Sequence, residues 1–275
     1  MKLFDFDGMF DEKLQSYIAK NPQKYTESEW EDVIPEMYKR FGDTQIKSLG
    51  KSPREFYAEM SPDGLVRQLR AHLKQGVPVS RFLCEAIEAA DLTEKLLPLL
   101  DGTAEEREYA MGLIGADDRA VKKYMELLIA CDDGGELEER CVELLKEKAD
   151  LVLAEAVENY KNGLKRGQMM EIMSCSVVRS DEVFEILLKE FRRDPENVCR
   201  NAGYLAAYGD ERALLYLLDK IGEEGISYLE YRELKFAIEA LGGEYETERD
   251  FSADPYFELI KSHDGTEDIF KYLKK

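Results

Sequence analysis

"RNAGYLAAYGDERALLYLLDKI", residues 200–221, decides how the rest of the chain reads. Val198, Ala202, Leu205 and Ala206 recur at helical spacing, Gly209 suits the left-handed conformation that ends a helix, and Asp210 can cap the next one. Beyond the turn, Ala213, Leu214, Leu217, Leu218 and Ile221 form one apolar stripe, with Arg212, Asp219 and Lys220 off it. Two amphipathic helices therefore meet at a two-residue turn. Such a hairpin cannot bury its stripe alone, so neighbouring hairpins must supply the rest of the core.

The chain repeats the unit. "SDEVFEILLKEF" (180–191) aligns with "DERALLYLLDKI" at an offset of 30, with Val183 on Ala213, Leu187 on Leu217 and Leu188 on Leu218. "DDRAVKKYMELL" (117–128) aligns at an offset of 93, and "ADLVLAEAVENY" (149–160) falls midway. Second helices are thus expected near 120, 152, 183 and 213, and first helices over 104–114, 135–147, 166–177 and 196–208. A tighter pair over 77–100 precedes them, and a pair over 229–241 and 254–263 follows, which makes six. Local signals agree: Thr103 with Glu106 is a capping box, Pro195 and Pro255 suit a first helical position, and "LGG" at 241–243 ends a helix.

"NAGYLAAYGDERALLYLLDKI", and more loosely "AMGLIGADDRAVKKYMELL" and "ELKFAIEALGGE", resemble HEAT-like repeats of the short type also found in phycobilisome lyases. The likeness covers roughly residues 77–263 and rests on the alanine-rich first helix, the Gly-Asp turn and the leucine-rich second helix. It implies an all-α chain, an α-solenoid of about six HEAT-like helical pairs with a concave surface. Such repeats occur in scaffolds, adaptors and a few enzymes, so the resemblance implies a fold and no particular chemistry.

The first sixty residues read differently. Trp30, Val33, Ile34, Met37, Tyr38 and Phe41 make one apolar face, begun by a cap at Thr26 with Glu29 and kinked at Pro35. Ser52, Pro53 and Glu55 start another helix. Residues 1–60 are expected to form a helical cap on the open end of the array, and residues 61–275 the array itself.

Composition limits the partners. The 275 residues are 44% apolar, enough for a sizeable core, and 58 acidic against 38 basic side chains give a formal charge of −20. The excess lies in the last two thirds, with 24 acidic and 15 basic residues over 101–200 and 17 and 9 over 201–275. That field repels phosphate backbones and anionic lipid, so no nucleic-acid or membrane partner is expected. The first residues carry no signal-peptide pattern and the densest apolar run is "LLIAC" at 127–131, so a cytoplasmic protein is expected. Cys84, Cys131, Cys141, Cys175 and Cys199 form no CxxC pair and sit beside apolar residues, which reads as core packing. His72 and His263 are the only histidines; neither a metal nor a cofactor is expected.

Two candidate sites remain. "MKLFDFDGMFD" (1–11) resembles the first motif of haloacid dehalogenase-type phosphatases, a resemblance that would make Asp5 the nucleophile and Asp7 the general acid. Met9 departs from the motif, the apolar run before Asp5 is short, and nothing downstream alternates strand with helix. As an EF-hand the stretch places Gly8 too early. The other candidate is the C-terminal concentration of tyrosines: Tyr204, Tyr208, Tyr216, Tyr228, Tyr231, Tyr245 and Tyr256 lie among many carboxylates. Most of these rings read as fillers between helices. Tyr216 stands beside the Leu217–Leu218 stripe, and with Arg212, Asp219 and Glu223 forms the candidate binding surface. The expected function is a non-enzymatic interaction module or scaffold that binds a basic peptide or protein. The alternative is an enzyme, either a phosphotransferase using Asp5 and Asp7 or a helical-repeat modifying enzyme.

Overall fold

The computed structural model describes residues 2–22, 24–132, 134–255 and 257. Among them the chain is all-α: fifteen α-helices, two short 3-10 turns and no strand, with one isolated bridge between Ile46 and Lys51. It divides into two compact units, Met1–Lys123 and Tyr124–Lys275.

The first unit holds α1 (Phe6–Lys20), α2 (Glu27–Phe41), α3 (Pro53–Ala58), α4 (Pro62–Gln75), α5 (Arg81–Ala89), α6 (Thr93–Leu96) and α7 (Ala104–Ile114). The boxes at Thr26, Ser52 and Thr103 each form, with the hydroxyl accepting the third helical N–H and the Glu carboxylate accepting the cap N–H. Residues 1–60 share their core with α5. Phe4, Phe6, Phe56 and Tyr57 form one ring cluster, while Tyr38 stacks on Phe82 at 4.7 Å and Phe10 meets both Tyr38 and Phe41. Phe6, Tyr57 and Phe82 are buried; each full burial of such a ring is worth about 1.5–3 kcal/mol. On α2 only Phe41 is fully buried, and Trp30, Val33, Ile34, Met37 and Tyr38 are half-exposed.

α8 (Val121–Ala130) spans the division. The second unit continues with α9 (Glu136–Lys146), α10 (Ala149–Lys161), α11 (Arg166–Ser174), α12 (Asp181–Arg193), α13 (Val198–Tyr208), α14 (Ala213–Gly222) and α15 (Tyr228–Ala240). α9, α11, α13 and α15 form a row, each packed on the next. α10 packs on α11, α12 on α13 and α14 on α15, whereas α10 and α12 do not pack closely on one another. Within this unit the first helices are close-set and the second helices stand apart.

Several expectations meet the structure directly. α7 spans the expected residues; α11 stops at Ser174, and α13 begins at Val198 after a 3-10 turn over Pro195–Asn197. Gly209 takes φ +70° and ends α13. The stripe of α14 needs one correction: Ala213, Leu217 and Ile221 are buried, but Leu218 is 37% exposed. The cause is the angle around the helix, since α13 and α15 cover the 213–217–221 edge and leave its flank uncovered. The cysteines need another. Cys141 is buried, Cys84, Cys131 and Cys199 are half-buried, and Cys175 is exposed because it lies just past the end of α11. Tyr256, His263 and most of the helix expected over 254–263 lie outside the described residues.

Candidate functional site

The Asp-x-Asp-Gly stretch is a helix start. Asp5 caps α1, its Oδ1 accepting the Gly8 N–H at 2.7 Å, and a Cβ on Gly8 would sit 2.5 Å from Asp5 Oδ2, so glycine is what permits the carboxylate to close. Asp7 Oδ1 accepts the Tyr38 hydroxyl at 2.5 Å, and that oxygen in turn accepts the Arg81 N–H at 3.3 Å. Burial pushes the Asp7 carboxyl above its ordinary value against the pull of that bond; burial and the neighbouring Asp7 push the Tyr38 phenol up. The strand that a dehalogenase-type motif ends is absent among the described residues.

His72 is buried on α4. Its Nδ1–H donates to the Pro78 carbonyl at 2.8 Å, leaving Nε2 to accept from the Gln68 amide at 3.4 Å. It packs and orients rather than faces solvent. No group of three or more His, Cys, Asp or Glu side chains among the described residues is placed to hold a metal, and no described helix is long and apolar enough to cross a membrane.

Arg212, Tyr216, Asp219 and Glu223 fall along one side of α14 and its end, each with its own surroundings. The Arg212 guanidinium is bound to Asp210 at 2.6 Å and to Asp181 at 2.8 Å, and lies 4.2 Å from the Phe184 ring centroid. Asp210 also accepts the Arg212 backbone N–H at 3.0 Å, and its carboxyl is held below the ordinary range chiefly by that guanidinium. Arg192 covers the Tyr216 ring at 4.3 Å, so a cation already occupies that face. Lys220 reaches Glu223 at 2.6 Å, and Asp219 is exposed.

The Arg212 arrangement recurs in the first unit. Arg119 binds Asp117 at 2.6 Å through its guanidinium and at 2.9 Å through its backbone N–H, then reaches Asp91 at 2.6 Å. Each Asp-x-Arg word ties its own turn and links it to an aspartate 28 or 31 positions earlier. Sequence reasoning aligned these segments 93 residues apart but missed the shared word, whose signal was Asp117 with Arg119 and Asp210 with Arg212.

The other C-terminal tyrosines mostly fill gaps. Tyr208 is buried, its hydroxyl accepting the Ser180 N–H at 2.6 Å, while Tyr228 and Tyr231 pack with Phe251 and Tyr231 also meets Tyr245. Tyr204 is half-buried on α13, where burial raises its phenol.

Each unit also carries a surface groove. One of about 780 Å³ lies between α1 and α2, lined by Lys13, Lys24, Asp32, Glu36 and Arg40 together with apolar side chains. Lys13 already rests 4.9 Å from the Phe41 ring centroid and Lys24 5.2 Å from that of Tyr17. The other, of about 460 Å³, runs along α10 beside the first turn of α12. Comparison of the chain with family models, with curated proteins and with solved structures finds no match.

Proposed function

We propose that this chain is a non-enzymatic interaction module: an acidic α-solenoid of about six HEAT-like helical pairs, capped by residues 1–60, that works in the cytoplasm as a scaffold and binds a basic peptide or protein. The observation that carries the reading is the layering of the second unit, in which successive first helices pack in a row and each second helix rests on the next pair. Stacks of this kind offer long surfaces assembled from equivalent helices. The recurring Asp-x-Arg brace supports the repeat, and the charge of −20 supports a basic partner.

Two measurements test it. A compact globule of this length has a radius of gyration of about 19 Å, and an extended array should scatter with a clearly larger value. For the partner, the probe is a fluorescein-labelled 18-residue peptide of Lys and Leu at helical spacing, with a Glu/Leu peptide of equal length beside it. The Lys/Leu peptide should bind and the Glu/Leu peptide should not. Equal binding of both would overturn the proposed charge selectivity.

A further inference from the structure

The groove between α10 and α12 has the chemistry such a partner needs. Its open apolar surface is Leu153 and Ala154 of α10, with Val157 and Val183 buried at its floor, and its charged lining is Asp150, Glu158, Glu182 and one cation, Lys161, which is paired with Glu182. Three carboxylates thus face one ammonium. Glu158 is exposed and its carboxylate has no ion-pair partner among the described residues.

Asp150, which lines the groove, also holds an exposed apolar turn in place. Asp150 accepts the Ser176 hydroxyl at 2.6 Å, the Val177 N–H at 2.8 Å and the Val178 N–H at 3.3 Å, bonds that keep its carboxyl below the ordinary range. Those bonds fix a turn whose valines are 74% and 49% exposed, and Leu151, the residue after Asp150 on α10, is 59% exposed. A solvated turn gains nothing from holding two aliphatic side chains out in water, whereas a contact surface does. The positive end of α12 is already met by Asp181 and Glu182 in its first turn, so the groove does not call for an anion.

We propose that this groove is the docking site for a basic amphipathic helix of the partner protein, its apolar stripe lying on Leu153, Ala154 and the exposed Val177–Val178 turn held by Asp150, and its Lys or Arg side chains on Glu158 and Glu182. This rests on the basic-partner reading above and places it on α10 and α12 instead of on α14. Charge selects the occupant. A second copy of a chain carrying −20 is repelled, as are anionic lipid and nucleic acid, while a cationic helix is attracted along the whole groove.

The labelled Lys/Leu peptide is titrated by anisotropy into the full chain and three variants at 0.1 M salt. Glu158→Lys with Glu182→Lys should weaken binding at least tenfold, and Asp219→Lys with Glu223→Lys should change it less than twofold. Lys161→Ala removes the one competing cation and should tighten binding, a gain that a merely structural role does not produce. The three lining side chains altered here, Glu158, Lys161 and Glu182, are exposed, and circular dichroism checks each variant for native helicity. Hydrogen exchange on the wild type should show peptide-induced protection over 150–161 and 178–185. If only the α14 variant weakens binding, the groove is overturned and the basic-partner reading stands. If the peptide binds all variants equally, or the Glu/Leu peptide binds as well, both are overturned.

Discussion

Replacing Lys165 by Met should be among the most damaging single changes in the second unit. Its ammonium binds Glu138 Oε2 at 2.6 Å, with side chains only 9% and 8% exposed. Glu138 also accepts from Gln168 Nε2 at 2.7 Å and from the Gly134 N–H at 3.2 Å, so the carboxylate joins α9, the turn before it and the start of α11. Lys165 itself sits at φ +45°, a left-handed conformation that a lysine adopts only at some cost in strain. Removing the ammonium leaves a buried carboxylate with two neutral donors, and such a loss costs about 3–5 kcal/mol. The assay is urea unfolding followed by circular dichroism at pH 7 for Lys165→Met, Glu138→Met and the double variant. The double variant should be more stable than Lys165→Met, since removing both charges leaves none stranded. The pH dependence has a definite sign. In the wild type Lys165, as the largest cause, holds the Glu138 carboxyl below its ordinary value, so the stabilisation is present above the unfolded value of about 4.3 and is lost as pH falls through the lower folded value. In Lys165→Met the stranded carboxylate should take up a proton more readily, and acidification from pH 7 to 5 should stabilise that variant relative to wild type. Small, additive losses with no change in pH slope would refute the reasoning.

Leu217→Ala should cost about 2–5 kcal/mol because Leu217 is fully buried, while Leu218→Ala at a 37% exposed site should cost under about 1 kcal/mol; equal unfolding midpoints would mean the two flanks of α14 are equivalent. Asp5→Ala removes the α1 cap and should lower stability by about 0.5–2 kcal/mol, with Asp5→Asn close to wild type; a magnesium-dependent phosphatase activity lost in Asp5→Asn would instead restore a catalytic reading. Tyr208→Phe strips the hydroxyl that satisfies the Ser180 N–H and should raise hydrogen exchange at the start of α12; unchanged protection at residues 180–184 would show that the bond is dispensable.

The helices were legible wherever a stripe, a cap and a turn residue coincided. Thr103, Ser52 and Gly209 act as their positions in the sequence suggest, because capping is a local bond between residues three apart or a backbone angle only glycine takes easily. Leu218 and Cys175 were misjudged because periodicity tells which residues share a face, and only packing tells how wide a band of that face the neighbours cover. Tyr216 looked available in sequence, yet Arg192, twenty-four positions earlier, covers its ring; no local pattern signals a contact of that range. The α10–α12 groove was hidden for the same reason. Its carboxylates are scattered over more than thirty positions and line one groove only once α10 and the first turn of α12 are placed by the fold.

The central claim, that an acidic surface of this chain holds a basic partner, is tested most directly by the salt dependence of Lys/Leu peptide binding. Screening shortens from about 10 Å at 0.1 M to about 3 Å at 1 M, so affinity should fall steeply across that range, mainly through slower association. Binding that ignores salt over the same interval would contradict the claim and leave the charge of −20 with no part in recognition.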